Sequence, residues 1–358
     1  MMEFDEIVQI RPYSLDRQQK RALLCERMNT LTKHHREKCA EYANLLQCLG
    51  KDNVAEEIED VPFVPVRMFK DMELCSVEKD EIMKTMTSSG TTGQQVSRIY
   101  LDRTTAANQQ KTLVKIVSGF TGRGRLPMLI IDSPAVVKDR KMFSARGAGI
   151  LGFSILASDR KYALREDMSI DYEGIEEFLK KHEGKKILLF GFTFMIWQHF
   201  YKELCKNTHR LDLSNGLLIH GGGWKKLKNE AVEPEEFKAR LKEVCGISSV
   251  HDYYGMVEQT GCIYMECECG HLHASIFSDV ITRRAKDFSV CEKGEEGMIQ
   301  VLSTIPESYP GHSILTEDQG IILGEDDCPC GRLGKYFKIT GRIKNAEVRG
   351  CSDTYEQK

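Results

Sequence analysis

The chain has 358 residues, of which 41% are hydrophobic and 29% are charged, and its formal net charge is −3. This length and composition predict one large or two moderate domains of a soluble globular protein. The small negative charge argues against nucleic acid as the main partner, and no apolar run is long enough to suggest a membrane span. The start of the chain is acidic, unlike a signal peptide. The thirteen cysteines are therefore expected to be reduced thiols, metal ligands or a nucleophile in the cytoplasm.

The first 60 residues are predicted to be largely helical. Apolar residues recur at roughly helical spacing as far as Leu49. Ser14 is a suitable N-cap for this region, and Gly50 is suitable to end it. Two prolines then predict a non-helical connector over residues 61–70.

Residues 104–244 are predicted to alternate between helices and strands. Amphipathic patterns indicate helices at 104–118, 172–182, 194–205 and 234–244. Short apolar runs indicate strands at 127–132, 186–190 and 216–219. A glycine-dotted segment, 147–152, is expected to be a loop or a tight packing site. Alternation on this scale predicts an α/β protein with a largely parallel sheet and helices on its faces.

Beyond Gly270 the pattern changes to short strands and turns, which predicts a β-rich subdomain. The strand-like runs lie at 274–281, 297–303, 321–323 and 336–340. We therefore expect four segments: an N-terminal helical region (1–60), an α/β core (61–270), the β-rich subdomain (271–340) and a short C-terminal arm (341–358).

The composition of one stretch suggests an anion-binding loop: Ser88-Ser89-Gly90-Thr91-Thr92-Gly93. Glycines let the backbone bend so that its N–H groups converge on an anion, and hydroxyls add further donors. This chemistry is that of a phosphate-binding loop, although no Gly-Lys-Ser/Thr step closes it as in a Walker sequence. The same residues also suit an ordinary polar hairpin turn.

Two further polar or glycine-rich stretches follow strand-like runs, His220–Gly223 and Tyr253–Glu258. In a parallel α/β sheet, ligands bind beyond the carboxyl ends of the strands. Glu258 could hold Mg²⁺, which prefers carboxylate and phosphate oxygen. A triple glycine can also be a mere turn, and Tyr-Gly can serve packing. The order of the stretches along the chain favours a ligand site.

Two Cys-x-Cys pairs are joined by the β-rich segment. Their four thiolates could bind a structural Zn²⁺, which is tetrahedral and closed; the cysteines are Cys267, Cys269, Cys328 and Cys330. His271 or His273 could replace one of the sulfur ligands. The alternative is four reduced thiols in β-turns.

Several of these motifs together resemble the adenylate-forming superfamily of acyl-CoA ligases, firefly luciferase and peptide-synthetase adenylation domains. The motifs that occur in its order are Ser88–Gly93, Tyr254–Glu258, Thr316–Gly320 and Gly341–Lys344. Within it, the chain is similar to the LuxE-type acyl-protein synthetases of the bacterial fatty-acid reductase complex. The stretches that carry this closer resemblance are Pro62–Lys70, Ser97–Asp102, His220–Trp224 and Gly341–Tyr355.

The resemblance implies the superfamily's N-terminal-type fold, with parallel and mixed sheets flanked by helices, and a nucleotide site in the core segment. It implies that ATP phosphates are held by Ser88, Ser89, Gly90, Thr91, Thr92 and Gly93, with Mg²⁺ near Thr92 and Glu258. It implies that adenine and the reacting carboxylate are lined by Gly221, Gly222, Gly223, Tyr254 and Gly255. Asp318 would bind the ribose hydroxyls, and Arg342 would lie at a hinge close to the ribose or phosphate.

The chain departs from the superfamily pattern in two ways. Gln94 and Gln95 stand where many of its loops carry a lysine. The chain also ends soon after Arg342, so we expect the full C-terminal domain and its catalytic lysine to be absent, with Lys344 as a further catalytic candidate.

Cys351 is the main catalytic candidate. In the family, a cysteine near the C-terminus takes the acyl group from the acyl-adenylate as a thioester and passes it to a reductase partner. A thiolate is a strong nucleophile, and Arg349 could lower its pKa. The alternative is an incidental surface thiol.

The sequence is compatible with three functions. The resemblance favours an enzyme that activates a fatty or similar acid with ATP and acylates itself at Cys351. An acid–CoA ligase similar to phenylacetate–CoA ligases is the first alternative. A nucleotide-binding scaffold without catalysis is the second. Aromatic residues at 190, 192, 194 and 197 could line an acyl tunnel or form plain core.

Overall fold

The protein is described by a computed structural model that covers residues 3–50, 54–88, 95–137 and 145–343. Contacts divide the chain into two compact units, one formed by residues 3–119 and 255–343 and the other by residues 120–254. The expected segmentation at residues 60, 270 and 340 stays a prediction. Within the described ranges, none of the helices combines the length and the apolar character that a membrane span requires.

Up to residue 121 the described residues form helices and three short strands. They are α1 (Phe4–Ile7), α2 (Arg17–Lys38), α3 (Ala40–Leu49), β1 (Val64–Pro65), α4 (Met68–Asp71), β2 (Lys84–Thr87), β3 (Arg98–Leu101) and α5 (Arg103–Thr121). The predicted connector at 61–70 is therefore only partly non-helical, because α4 begins within it.

The long N-terminal helical region is confirmed, but its start and its continuity differ from the prediction. The N-cap is Asp16, not Ser14, and its carboxylate accepts a hydrogen bond from the Gln19 N–H at 2.9 Å. Cys39 has an extended backbone (φ −126°, ψ 106°), which separates α2 from α3. Gly50 ends α3 at φ +61°, as predicted, because glycine adopts this conformation without strain.

Residues 126–254 form a parallel α/β unit. Its elements are β4 (Leu126–Ile131), α6 (Ala145–Phe153), β5 (Ala157–Tyr162), α7 (Tyr172–Lys181), β6 (Ile187–Phe192), α8 (Thr193–Met195), α9 (Lys202–Lys206), β7 (Gly216–Gly221), α10 (Pro234–Cys245) and β8 (Ser249–Tyr254). A π-helical turn, Ile196–Tyr201, connects α8 to α9. The strand order is β5-β4-β6-β7-β8 and every pair is parallel, which confirms the predicted sheet type.

The glycine-dotted segment of this unit is a helix, α6, and not a loop. One of its glycines, Gly149, does serve tight packing, the other prediction for the segment. A Cβ on Gly149 would lie 2.9 Å from Cζ of Phe192, so a larger residue would displace that ring. The strand β5 was not predicted from the sequence.

The chain returns to the first unit with six strands. They are β9 (Tyr264–Glu266), β10 (Leu272–His273), β11 (Ser278–Arg283), β12 (Glu296–Ser303), β13 (Ser313–Glu325) and β14 (Lys335–Arg342). The order β11-β12-β13-β14-β10-β9 is antiparallel throughout, and β1 adds to β13 in parallel. The predicted β-rich character of this region is confirmed.

Helix α2 packs its apolar stripe onto this sheet. Leu24, Met28 and Leu31 recur at helical spacing and are buried against Ile281 of β11 and Leu302 of β12. Removal of this much apolar surface from water is the main force that holds the helix in place.

A buried group of charges ties the same helix to the sheet. The ammonium of Lys335 donates to Asp279 Oδ2 at 2.8 Å, and the ammonium of Lys20 on α2 lies 3.4 Å from Asp279 Oδ1. Burial alone would raise the pKa of Asp279, but the two flanking cations lower it below its usual value. The carboxylate therefore stays ionised between them.

Two buried histidines, His35 and His312, stack face to face in the first unit with their ring centroids 5.0 Å apart. The ring of His35 bonds to the Ser76 hydroxyl and to the Pro306 carbonyl. His312 shares a hydrogen bond of 3.0 Å with the Thr32 hydroxyl. Burial, together with the nearby positive charge of Arg27, lowers the pKa of His312 to about 3. Burial likewise lowers the pKa of His35 well below its usual value.

This histidine pair predicts a loss of stability in mild acid. A histidine whose folded pKa is depressed stabilises the protein fully above its unfolded pKa, near 6.5, and this contribution falls as the pH drops toward the folded value. We expect His312 to lower the free energy of unfolding by about 2 kcal/mol between pH 7 and pH 5. Urea unfolding of the wild type and of His312→Gln at the two pH values measures this. The variant should lose less stability on acidification, and parallel losses in the two proteins would contradict the assignment.

Candidate active site

A hairpin closes the two ends of the predicted phosphate loop. Strand β2 pairs antiparallel with β3, and Thr87 lies opposite Arg98. Directly beyond this pair, the Ser88 N–H donates to the Ser97 carbonyl at 3.2 Å, and the Ser97 N–H donates to the Ser88 hydroxyl at 2.9 Å. The phosphate role of the loop stays a prediction, because the described residues do not include Ser89, Gly90, Thr91, Thr92, Gly93 and Gln94.

The carboxylate of Glu258 is buried beside the base of this hairpin. The Ser97 hydroxyl donates to Glu258 Oε1 at 2.7 Å, and both residues are 0% exposed. The Tyr309 hydroxyl donates to the Glu258 carbonyl at 2.9 Å, which fixes the turn that carries the carboxylate. Neither Ser97 nor Tyr309 was predicted as a site residue. No local signal marks a partner that lies 161 or 51 residues away along the chain.

Asp318 and Arg342 lie opposite each other on β13 and β14. Arg342 Nε is 3.0 Å from Asp318 Oδ1, and Arg342 Nη2 donates to Glu317 Oε2 at 3.0 Å. The Thr316 hydroxyl accepts from the Asp318 N–H at 3.1 Å and donates to the Ile299 carbonyl at 2.8 Å. Both charged side chains are partly exposed and can therefore be reached by a ligand. The structure thus brings together two residues that were predicted separately.

Close packing accounts for two of the three consecutive glycines at the carboxyl end of β7. A Cβ on Gly221 would lie 2.5 Å from Cε1 of Tyr253, its neighbour on β8. Gly222 has φ +77°, which favours glycine, and a Cβ there would lie 3.2 Å from Phe192. Gly223 has open space where a Cβ would lie, so packing does not account for this glycine.

His220, which precedes these glycines, is held neutral. It is 6% exposed, and it shares a hydrogen bond of 3.0 Å with the hydroxyl of Thr193, the first residue of α8. Burial, with the positive charge of Lys238 nearby, lowers the pKa of His220 to about 3. The ring is therefore a fixed hydrogen-bonding group at neutral pH. Tyr254 ends β8, and Gly255 begins the next stretch of the first unit.

Two of the aromatic residues that were predicted to be tunnel or core, Phe190 and Trp197, belong to different groups of rings. Phe190 stacks on Phe153 at 4.2 Å between centroids and lies 6.5 Å from Tyr253. Trp197 belongs to a different group, with Tyr201, Trp224 and Phe237. Phe190 and Trp197 are both buried, as core residues are. An acyl tunnel along them stays a prediction.

Four cysteine and histidine side chains of the first unit converge. The ligand atoms of Cys267, His273, Cys328 and Cys330 all lie within 4.8 Å of one another. Cys269 is exposed and is not part of this group. His273 stands where a fourth thiol was expected, which agrees with the expectation that a histidine could replace one sulfur.

Of the four catalytic candidates, Thr92, Lys344 and Cys351 lie outside the described residues, and Glu258 lies within them. Their roles therefore stay predictions. Glu258, Asp318 and Arg342 are the charged candidates that the structure places.

Comparison with known proteins identifies relatives across almost the whole chain. The family described as "Acyl-protein synthetase, LuxE" matches residues 2–358. The long-chain-fatty-acid–luciferin-component ligase of Vibrio harveyi is 24% identical over 371 residues, covering 99% of this chain and 93% of the relative. The ligase of the same name from Aliivibrio fischeri is 23% identical over 337 residues, covering 89% of this chain and 84% of the relative.

Solved structures show the same fold. An open conformation of 2-hydroxyisobutyryl-CoA ligase with 2-HIB-AMP and CoA gives a TM-score of 0.70 at 16% identity, over 95% of this chain and 79% of that chain. The postadenylation state of the same ligase with 2-HIB-AMP also gives 0.70, at 15% identity, over 93% and 70%. These likenesses confirm the expected adenylate-forming type of α/β fold.

Proposed function

Because the chain belongs to the acyl-protein synthetase family LuxE, we propose that it activates a fatty acid with ATP and transfers the acyl group to its own Cys351. It is an AMP-forming acyl ligase. The names of the Vibrio harveyi and Aliivibrio fischeri relatives support a long-chain acid as the substrate. The observation that best supports this function is the buried hydrogen bond from Ser97 to Glu258. It fastens the base of the predicted phosphate loop to the predicted metal-binding carboxylate.

In the first step, a carboxylate oxygen of the fatty acid attacks the α-phosphorus of ATP. A bond forms between that oxygen and the phosphorus, and the bond from the phosphorus to the pyrophosphate oxygen breaks. The products are acyl-AMP and pyrophosphate. Both reactants are negatively charged, so the site must offer hydrogen-bond donors and positive charge. We assign the donors to the backbone N–H groups and hydroxyls of Ser88–Gly93.

The donor set around Glu258 fits Mg²⁺. The Glu258 carboxylate and the Ser97 hydroxyl supply oxygen atoms, and Mg²⁺ is usually bound by one or two carboxylates together with nucleotide phosphates. We propose that Glu258 and Thr92 hold the ion. When bound, it supplies positive charge beside the phosphates.

We assign the nucleoside to the residues predicted for it. Asp318 would accept hydrogen bonds from the ribose hydroxyls, and Gly221–Gly223 with Tyr254 and Gly255 would line the adenine and the reacting carboxylate. Asp318 already pairs with Arg342 at 3.0 Å. The ribose hydroxyls must therefore either share the Asp318 carboxylate with Arg342 or displace the Arg342 side chain from it. In both cases, nucleotide binding changes the contacts of Arg342.

In the second step, the Cys351 thiolate attacks the carbonyl carbon of acyl-AMP. A carbon–sulfur bond forms, the bond from the carbonyl carbon to the phosphate oxygen breaks, and AMP leaves. Arg349 could favour the thiolate electrostatically, and Lys344 is a further candidate to offset charge on the departing AMP. The thioester then serves an acyl reductase as the protein partner. We place the reaction in the cytoplasm, where the thiols that it requires stay reduced.

The test is incubation with ATP, Mg²⁺ and radiolabelled tetradecanoic acid. We expect acid-dependent release of pyrophosphate and hydroxylamine-sensitive label on the protein. Stoichiometric consumption of CoA in place of protein labelling would identify an acid–CoA ligase. Nucleotide binding without pyrophosphate release for any acid would identify a non-catalytic scaffold.

A further inference from the structure

We propose that Cys267, His273, Cys328 and Cys330 bind one structural Zn²⁺. No step of the acyl transfer uses these residues. They reach one point from two neighbouring turns of the sheet in the first unit. Cys267 follows β9 and His273 lies on β10, while Cys328 and Cys330 lie in the connection from β13 to β14.

Two separations between the ligand atoms match those of a tetrahedral zinc site. Zn–S bonds of about 2.3 Å and Zn–N bonds of about 2.0 Å place two sulfur ligands about 3.8 Å apart, and a sulfur and a nitrogen about 3.5 Å apart. Cys267 Sγ and Cys328 Sγ are 3.9 Å apart, and Cys330 Sγ is 3.4 Å from His273 Nε2. The distance between the two sulfur atoms is far longer than the roughly 2 Å of a disulfide bond.

The surroundings of the cluster suit a closed structural site. Cys267 and His273 are 0% exposed and Cys328 is 5% exposed. Four protein ligands complete a tetrahedron and leave no open position for a substrate, as in structural rather than catalytic zinc sites.

Further groups stabilise negative charge on the sulfur ligands. The Cys269 N–H donates to Cys267 Sγ at 3.3 Å, and His271 Nδ1 lies within hydrogen-bond distance of Cys328 Sγ at 3.4 Å. Hydrogen bonds of this kind orient the ligands of a metal and raise the affinity of the site for it. The guanidinium of Arg332, two residues beyond Cys330, adds positive charge beside a site that would carry a net charge of about −1 with three thiolates and Zn²⁺.

The proposed ion would fasten two parts of the sheet to each other. His273 lies opposite Tyr336 in the pairing of β10 with β14, and the cysteine turn precedes β14 directly. β14 in turn aligns Arg342 with Asp318 on β13. Loss of the ion should therefore destabilise this part of the sheet before it affects the unit formed by residues 120–254.

The test is the metal content of the full chain, purified without chelators from cells grown with added zinc. Elemental analysis should find about one zinc per chain, and a mercurial reagent should release that equivalent to a chromogenic chelator. The Co²⁺ form should show thiolate-to-cobalt charge-transfer absorption. Cys328→Ser should hold less than about a tenth of an equivalent. Cys269→Ser is the matched control from the same pair of cysteines and should keep its zinc.

Three outcomes would overturn the proposal. The first is a wild-type chain that neither contains zinc nor takes up added Zn²⁺ or Co²⁺. The second is a loss of zinc in Cys269→Ser as large as in Cys328→Ser. The third is a Cys267–Cys328 disulfide in the native protein, found by mass spectrometry. The wild-type measurements decide the question even if the Cys328 variant does not fold.

Discussion

Replacing Cys351 by serine is expected to abolish the hydroxylamine-sensitive label on the protein while the first turnover of acid-dependent pyrophosphate release is kept. A serine hydroxyl is not ionised at neutral pH and is a far weaker nucleophile than a thiolate, so acyl transfer should fall by at least about 10³-fold. Adenylation uses other groups and should continue until acyl-AMP fills the site. A first-turnover burst of pyrophosphate, measured beside the label, separates the two steps.

The control for this experiment uses two cysteines that are open to solvent. Cys48 and Cys205 are both exposed, and serine at either position should leave the label unchanged. Label that persists in Cys351→Ser and disappears in one of the control variants would move the acceptor to that cysteine. Label that persists in all three variants would contradict a mechanism in which Cys351 is the single acceptor.

Replacing Glu258 by glutamine is expected to slow pyrophosphate release by about 10²- to 10³-fold. The change keeps the shape of the side chain and an oxygen that can accept from Ser97, but it removes the negative charge proposed to hold Mg²⁺. The fold should survive, because the buried hydrogen bond remains. Initial rates as a function of Mg²⁺ concentration measure the effect, and the variant should need more Mg²⁺ for half-maximal rate.

Ser97→Ala is the matched variant for that experiment. It removes the hydrogen bond and leaves the charge, so we expect a fall of about tenfold, equivalent to about 1.4 kcal/mol. The informative result is which of the two variants releases pyrophosphate more slowly. A Glu258→Gln enzyme with a normal rate and a normal Mg²⁺ requirement would show that the carboxylate serves only to anchor the hairpin.

Features of the fold that depend on residues close together along the chain could be predicted from the sequence. The glycine that ends α3 and the parallel sheet of the second unit are examples. The start of α2 was missed although its signal is local: Asp16 and Gln19 form a capping box, which is a stronger N-cap signal than Ser14. Helix α6 was missed for another reason. Glycines usually indicate a loop. Here Gly149 is needed because the ring of Phe192, distant in sequence, occupies the space that a larger side chain would take.

For the candidate site, too, the residues could be predicted from the sequence but their contacts could not. Residue types and their resemblance to a family singled out Glu258, Asp318 and Arg342, but the contact of Glu258 with Ser97 depends on how distant segments fold together. The cysteine cluster shows the limit of spacing as evidence. A Cys-x-Cys pair suggests that both thiols serve one site. The turn after β9, with Gly270 at φ +77°, instead leaves Cys269 exposed while the chain brings His273 into the cluster.

The parallel pairing of β1 with β13 has a consequence for the time course of synthesis. Val64 pairs with Ile314, so the ribosome must add about 250 further residues before this contact can form. At about 5–20 residues per second this takes roughly 12 to 50 s. The segment 120–254 is continuous and can complete its own sheet during that interval. The apolar stripe of α2 therefore stays exposed to water until the strands on which it packs, β11 and β12, have been synthesised.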